Sequence, residues 1–158
     1  MKKISLIIII ALIIIVSIFL VINFNNKQNI IEIDIEELGK KISESGVFQD
    51  EIAKVDKEIV YKAYGFNDNL IKEIVSYQGS GATSEEILIL QVNEKENLNE
   101  VKEMINNRIE ERKEIFVSYL PKEVYKLENN IFRVYNNYII MCISNDNEKV
   151  NEIINQII

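Results

Sequence analysis

The residues whose types could most readily do chemistry form one stretch, residues 79–86 (GSGATSEE). Glycines beside hydroxyl side chains let a backbone approach an anionic or polar ligand closely. The stretch is not a phosphate-binding P-loop, because the GK[ST] ending is absent and no helix is predicted to follow it. A hairpin turn that uses glycine at positive φ explains the same residues, so both a ligand loop and a plain turn remain open.

Glu85 and Glu86 end this stretch and suggest a pair of carboxylates for acid–base chemistry like that of glycosidases. Neighbouring residues on a strand point to opposite faces, so these two carboxylates cannot converge on one bond. We interpret them as charged residues that protect the start of a hydrophobic strand from aggregation. No catalytic residue is assigned.

Two arginines and a tyrosine complete the candidate site. Arg108 and Arg112 lie on or beside the apolar stripe of a predicted long helix, where each could pair with a ligand carboxylate or with Glu85. Alternatively, their stems pack along the core edge and their heads stay in solvent. Tyr119 could present its ring beside a groove, or could be buried where the helix stops. The candidate ligand-binding residues are Gly79, Ser80, Gly81, Thr83, Glu85, Arg108, Arg112 and Tyr119.

The composition of the 158 residues excludes several kinds of site. With no His and one Cys, the chain lacks imidazole catalysts, imidazole metal ligands, internal disulfides and CxxC pairs. Cys142, in an apolar run, is interpreted as inert, and residues 145–148 (NDNE) suit a helix cap better than a calcium loop. The 18 basic and 25 acidic residues give a formal charge of −7, unlike a nucleic-acid-binding surface. We predict no cofactor, no metal site and no nucleic-acid partner.

These candidate residues must be positioned by helices, and the sequence predicts where those helices begin and end. Helix starts are predicted at three capping side chains, Asp34, Asp56 and Asn97. The matching ends are predicted at Gly46, Gly65 and Pro121. A last helix is predicted from the apolar face formed by Val150, Ile153, Ile154 and Ile157.

Four strands are predicted between the helices, over residues 73–78, 85–92, 131–135 and 138–144. They form two hairpins, linked by residues 79–83 and by the Asn136-Asn137 pair, which tolerates positive φ. Residues 87–90 and 139–143 are apolar on both sides, which predicts central strands with both faces at least partly covered. We therefore expect an α+β domain of order α-α-β-β-α-β-β-α, with a four-stranded antiparallel sheet and about four helices in two layers.

The N-terminus carries the strongest signal in the sequence. Residues 4–24 are apolar except for two Ser and one Asn, and a helix of that length spans roughly 30 Å, the thickness of the bilayer core. A cleaved signal peptide fits less well, because residues 21–31 (VINFNNKQNII) contain no small residue for a peptidase. A lipid-attached Cys is absent from this region. We predict an uncleaved transmembrane anchor that contacts the lipid bilayer through residues 4–24.

The flanking charges predict the orientation of this anchor. Lys2 and Lys3 precede it while only Lys27 follows closely, so the N-terminus is expected in the cytoplasm and the remainder outside the cell. Removing Lys2 and Lys3 from the 18 basic residues leaves 16 against 25 acidic ones, a formal charge of −9 for the exported part. We divide the chain into an anchor (1–24), a tether (25–32) and an extracytoplasmic domain (33–158).

Three segments together resemble a known family: residues 80–87 (SGATSEEI), 116–121 (FVSYLP) and 137–140 (NYII). The chain is similar to a bacterial extracytoplasmic domain-of-unknown-function family, number four-three-five-eight. The resemblance would cover residues 33–157 and implies a small extracytoplasmic protein. It implies no activity, so no catalytic residue is carried over. Many members look like lipoproteins, and this sequence departs from them because its only Cys is Cys142.

Three functions remain as hypotheses. The first is a non-enzymatic binding or interaction domain, anchored in the cell membrane and displayed in the cell envelope, with an envelope protein or a small ligand as partner. The second is a histidine-free hydrolase or transferase that uses Ser80 or Thr83 near Glu85 with an Arg of the long helix. The third is a structural subunit of an envelope complex, in which residues 150–158 pack against a partner helix.

Overall fold

The computed structural model describes residues 12–18 and 32–158 of the chain. The chain divides into two compact units, Met1–Ile31 and Glu32–Ile158. In the first unit, residues 12–18 are helical and their side chains are exposed. Among the described residues, no helix has both the length and the apolar character needed to cross a bilayer. Most of the predicted anchor and tether, including both ends of residues 4–24, lie outside the described residues.

The second unit is an α+β domain, which confirms the predicted class. Its elements are α1 (Ile35–Ser43), β1 (Ala53–Lys54), α2 (Lys57–Tyr64), β2 (Ile71–Gln78), β3 (Glu86–Val92), α3 (Leu98–Tyr119), α4 (Pro121–Glu128), β4 (Ile131–Tyr135), β5 (Tyr138–Ile143) and α5 (Asn147–Ile157). A 3₁₀-helical turn, Lys95–Asn97, precedes α3. The two predicted hairpins are present, as β2–β3 and β4–β5.

The helix starts follow the predicted caps. Asp34 accepts a hydrogen bond from the Glu37 N–H at 2.8 Å at the start of α1. Asp56 stands at the same position before α2 but makes no such bond. Gly65 ends α2 in the left-handed conformation, with φ of 76°. The α1 helix ends at Ser43 with Glu44 as its cap residue, earlier than the end predicted at Gly46.

The sheet has five strands in the order β1-β2-β3-β5-β4, all antiparallel, so the prediction of four strands was wrong. The missed strand, β1, has only two residues, which pair with Tyr77 and Gln78 at the sheet edge. A two-residue strand has no hydrophobic alternation that a sequence pattern could reveal. The prediction that β3 and β5 are central is confirmed.

Helices cover the sheet on both faces, so the expectation of two layers was also wrong. Along β3, Ile87 and Ile89 face a core built with α1 and α5, while Leu88 and Leu90 face a second core built with α2, α3 and α4. Successive side chains of a strand alternate between faces, so a strand that is apolar throughout must be covered twice. The domain therefore has a helix–sheet–helix sandwich.

Pro121 both ends one helix and begins another. The prediction that it ends α3 is correct, since α3 stops at Tyr119 and Leu120 has an extended φ of −147°. The prediction missed that Pro121 is the first residue of α4. At that position the absence of a backbone N–H in proline does no harm, because this N–H would have no partner within the helix. This extra helix carries Glu123 and Lys126 to the loop between β2 and β3.

Candidate functional site

The loop between β2 and β3 is held in place by Asp50. The backbone N–H and the hydroxyl of Ser80 both donate to one Asp50 carboxylate oxygen at 2.7 Å, and the Thr83 hydroxyl donates to it at 3.4 Å. These hydrogen bonds, that of the Ser80 hydroxyl first, hold the pKa of Asp50 below its usual value. Gly81, at φ of +92°, needs glycine for its conformation. The hydroxyls of this loop thus secure its shape.

Glu85 is a buried carboxylate that ties four segments of the chain together. It accepts the N–H groups of Gln49 and Asp50 at 2.9 and 2.8 Å, an amide N–H of Asn145 at 2.6 Å and the Lys126 ammonium at 3.0 Å. Its hydrogen-bonding capacity is largely used within the protein. Glu85 therefore acts as a structural junction below the loop.

Glu86, on the opposite face of the sheet, is buried beside different partners. It accepts hydrogen bonds from the Tyr64 hydroxyl at 2.7 Å and the Gln78 amide at 2.9 Å, and it forms an ion pair with Arg112. Burial, followed by the negative charge of Glu86, raises the pKa of Tyr64 well above its usual value. As predicted, Glu85 and Glu86 do not converge, but both do more than protect the strand from aggregation.

A third buried carboxylate, Glu123 of α4, was not found from the sequence. It accepts the Ser84 N–H at 2.9 Å and the Ser84 hydroxyl at 3.0 Å, and it pairs with Lys126 at 2.9 Å. Burial opposes ionisation of Glu123, but the bonds from Ser84 and Lys126 outweigh it and lower its pKa. Asp50, Glu123 and Lys126 carry no motif of their own. Only the three-residue spacing of Glu123 and Lys126 on one helix face hinted at a pair.

An open cleft of about 230 Å³ lies between this loop and α3. Its lining residues are Gln78, Gly79, Gly81, Glu85, Arg108, Arg112, Ile115 and Phe116. Five of the eight predicted site residues are thus brought together. Thr83 adjoins the cleft, because its carbonyl accepts a hydrogen bond from Arg112 at 3.4 Å, whereas Ser80 is turned to Asp50.

Tyr119 is neither buried nor part of the cleft lining. Its side chain is 62% exposed, and its ring lies 6.0 Å from that of Phe116, so the interpretation as a buried ring at the helix end was wrong. From this end of α3 the cleft is instead lined by the buried Phe116 and by Ile115, which is 61% exposed. Its position one turn beyond Arg112 was readable from the helix period.

Arg108 is the least satisfied cation of the cleft. Its Nε is buried and has no hydrogen-bond partner in the described part of the chain, and its nearest carboxylate, Glu111, is 4.0 Å away. A buried donor without an acceptor costs about 1–3 kcal/mol. Arg108 also lines a second cleft of about 420 Å³ on its other side, next to Tyr64 and Met104.

The described residues offer little for metal or thiol chemistry. Within residues 12–18 and 32–158, no group of three or more His, Cys, Asp or Glu side chains is arranged to hold a metal ion. Cys142 is buried in β5, and burial raises the pKa of its thiol to about 12. Asp146 accepts the Lys149 N–H at 3.0 Å, so residues 145–148 cap α5 as predicted.

One comparison with known proteins gives a result. The model of the family described as "Domain of unknown function (DUF4358)" matches residues 44–144, which contain the loop, the cleft, α3 and all five strands. The family expected from the three sequence segments is thereby confirmed, over a shorter stretch than residues 33–157. No curated protein and no solved structure matches the chain.

Proposed function

We propose that this chain, which belongs to the DUF4358 family, is a membrane-anchored binding domain that faces the outside of the cell and takes its ligand in the cleft between the 79–86 loop and α3. The observation that carries the proposal is the state of Arg108. A partly exposed arginine, with a buried Nε that lacks an acceptor, lines an open cleft beside a glycine loop. Its terminal guanidinium nitrogens, which are not buried and make no hydrogen bond to the described residues, can donate to a ligand there.

The proposal that the domain is exported rests on the N-terminal sequence. The apolar run of residues 4–24, with Lys2 and Lys3 before it, supports a single-pass anchor whose N-terminus stays in the cytoplasm. The absence of small residues over 21–31 supports retention of the anchor. The partner is then a component of the cell envelope.

The hydrolase alternative gains no support from the geometry of the cleft. Neither of its two proposed nucleophiles, Ser80 and Thr83, lines the cleft, and both hydroxyls donate to Asp50. The lowered pKa of Asp50 makes it a weak base, and Glu85 already accepts four donors. The structural-subunit alternative is weakened as well, because Val150 and Ile154 of α5 are buried in the core of this domain.

The binding role can be tested by photo-crosslinking in intact cells. A benzophenone amino acid is introduced at Ile115, which lines the cleft, and at Ile59 on α2, which is equally exposed at 57% but lies elsewhere. We expect a discrete crosslinked product from position 115 of the full-length chain and none from position 59. The same products from both positions, or none from position 115, would contradict the proposal.

A further inference from the structure

We propose that the cleft recognises a single carboxylate attached to a small apolar group, with the carboxylate on Arg108 and the apolar group against Ile115 and Phe116. The inference rests on the proposed function and names the ligand class of the same site. The two parts of the ligand correspond to the two kinds of side chain, arginine and apolar, with which α3 lines the cleft. Arg108, Arg112 and Ile115 lie at helical spacing along one face of α3, so charge and apolar surface adjoin.

The charge of the ligand follows from the cations that line the cleft. Arg112 is committed to Glu86, and its guanidinium also lies 5.8 Å from the Phe116 ring. Of the two arginines that line the cleft, Arg108 has no ion pair closer than its 4.0 Å contact with Glu111. One available guanidinium, with a donor fork, suits one carboxylate.

A doubly charged ligand suits this cleft poorly. Glu85 is paired with Lys126 and Glu86 with Arg112, so a second negative charge would find no second free cation among the residues that line the cleft. A phosphate monoester should therefore bind more weakly than a carboxylate.

The size of the cleft limits the ligand to about one residue. A volume of about 230 Å³ is below the roughly 300–1,000 Å³ of sites for drug-sized molecules. It fits the carboxylate and short apolar side chain of an amino acid. Either a free small carboxylic acid or the C-terminal residue of a peptide supplies this chemistry.

The test is a calorimetric titration of the full chain in detergent. The probes are N-acetyl-leucine, its neutral amide N-acetyl-leucinamide and inorganic phosphate. A fourth probe is a pentapeptide of four glycines followed by a C-terminal leucine with a free carboxylate. We expect the two carboxylates to bind at least tenfold more tightly than the amide or phosphate. Tighter binding of the peptide than of N-acetyl-leucine would assign the ligand to peptide C-termini, and equal binding would assign it to small acids; both support the carboxylate class.

Three variants make the result specific to the cleft. R108Q and I115E should each weaken N-acetyl-leucine binding at least tenfold, the second by repulsion at an exposed position that the fold does not need. R133Q, on β4, removes an exposed arginine whose side chain donates to Asn151, away from the cleft, and should leave binding unchanged. The unfolding midpoint of each variant shows that it is folded.

Equal binding of the acid and the amide, or unchanged binding by I115E, would overturn the inference. So would the failure of every probe to bind the unaltered chain. In that last case, a crosslinked product from position 115 would show that the cleft still has an occupant of another class. The failure of the ligand class and the failure of the binding role are thus distinguishable.

Discussion

At the scale of single residues, Lys126 is notable because its one positive charge pairs with two buried carboxylates. Its ammonium lies 3.0 Å from Glu85 and 2.9 Å from Glu123, and all three side chains are buried. Removing one member of a buried ion pair costs about 3–5 kcal/mol, because the remaining charge is left uncompensated. We predict a loss of this size in the free energy of unfolding for Lys126→Met, measured by urea denaturation.

Lys54→Met provides the matched control for Lys126→Met. Lys54 also pairs with a carboxylate, Glu36 at 2.7 Å, but both side chains are more than half exposed. Exposed pairs contribute about 0–1 kcal/mol. Equal losses for the two variants would contradict the view that the charge network below the loop is a structural junction.

Glu123 should make the stability of the domain depend on pH in the acid range. Its pKa in the folded state lies below the value of about 4.5 that it has when unfolded. The unfolded state therefore binds more protons, so the contribution of Glu123 is complete above about pH 4.5 and is lost as the pH falls through the folded pKa. We predict that the free energy of unfolding decreases with acidification below about pH 4.5, and that Glu123→Gln reduces this decrease. An identical acid dependence in the variant would contradict the assignment.

At the scale of elements, two helix caps that look alike in the sequence should differ in strength. Asp34 bonds the Glu37 N–H, whereas Asp56 makes no side-chain cap bond. Loss of a capping bond costs about 1 kcal/mol. We predict that Asp34→Ala lowers the free energy of unfolding by about this amount and that Asp56→Ala changes it by a few tenths. Equal effects in thermal or urea unfolding would contradict the geometry of the caps.

Elements with strong local signals could be predicted, and those that depend on distant partners could not. Local interactions with adjacent residues in the chain determine the helix start at Asp34, the helix end at Gly65 and the turn at Asn136, whose φ is 56°. These features were identified from the sequence. The strand β1 exists because it pairs with the edge of β2, and no property of its two residues indicates it. The helix α4 was missed because proline is both a helix stop and a suitable first helical residue.

The candidate site shows the same division between local and tertiary information. The glycine loop and the two arginines of α3 were found from residue type and helical spacing, and the structure places them around one cleft. The roles of Glu123 and Lys126 arise from the docking of α4 against the loop, and no pattern in the sequence predicts that contact. Charged residues in an amphipathic helix are normally expected in solvent, so their burial could not be anticipated.

At the scale of the whole domain, the central strands support one wall of the cleft. The strands β3 and β5 are buried on both faces, and the helices on the two sides form separate cores. The cleft lies where the loop before β3 meets α3, so one wall is fixed by the central strand and the other by the longest helix. Such a scaffold suits a preformed binding site better than one that closes by large movements.

The membrane topology and the cleft can be tested together by thiol labelling of the full-length chain. The native Cys142 is buried and its thiol has a pKa of about 12, so Ile115→Cys and Ile59→Cys each add one reactive thiol. A membrane-impermeant maleimide should label both variants in intact cells. Position 115 should be labelled several-fold more slowly in cells than after purification, whereas position 59 should be labelled at the same rate in both. Labelling of either position only after lysis, or identical rates at 115 in cells and after purification, would contradict an externally displayed domain with an occupied cleft.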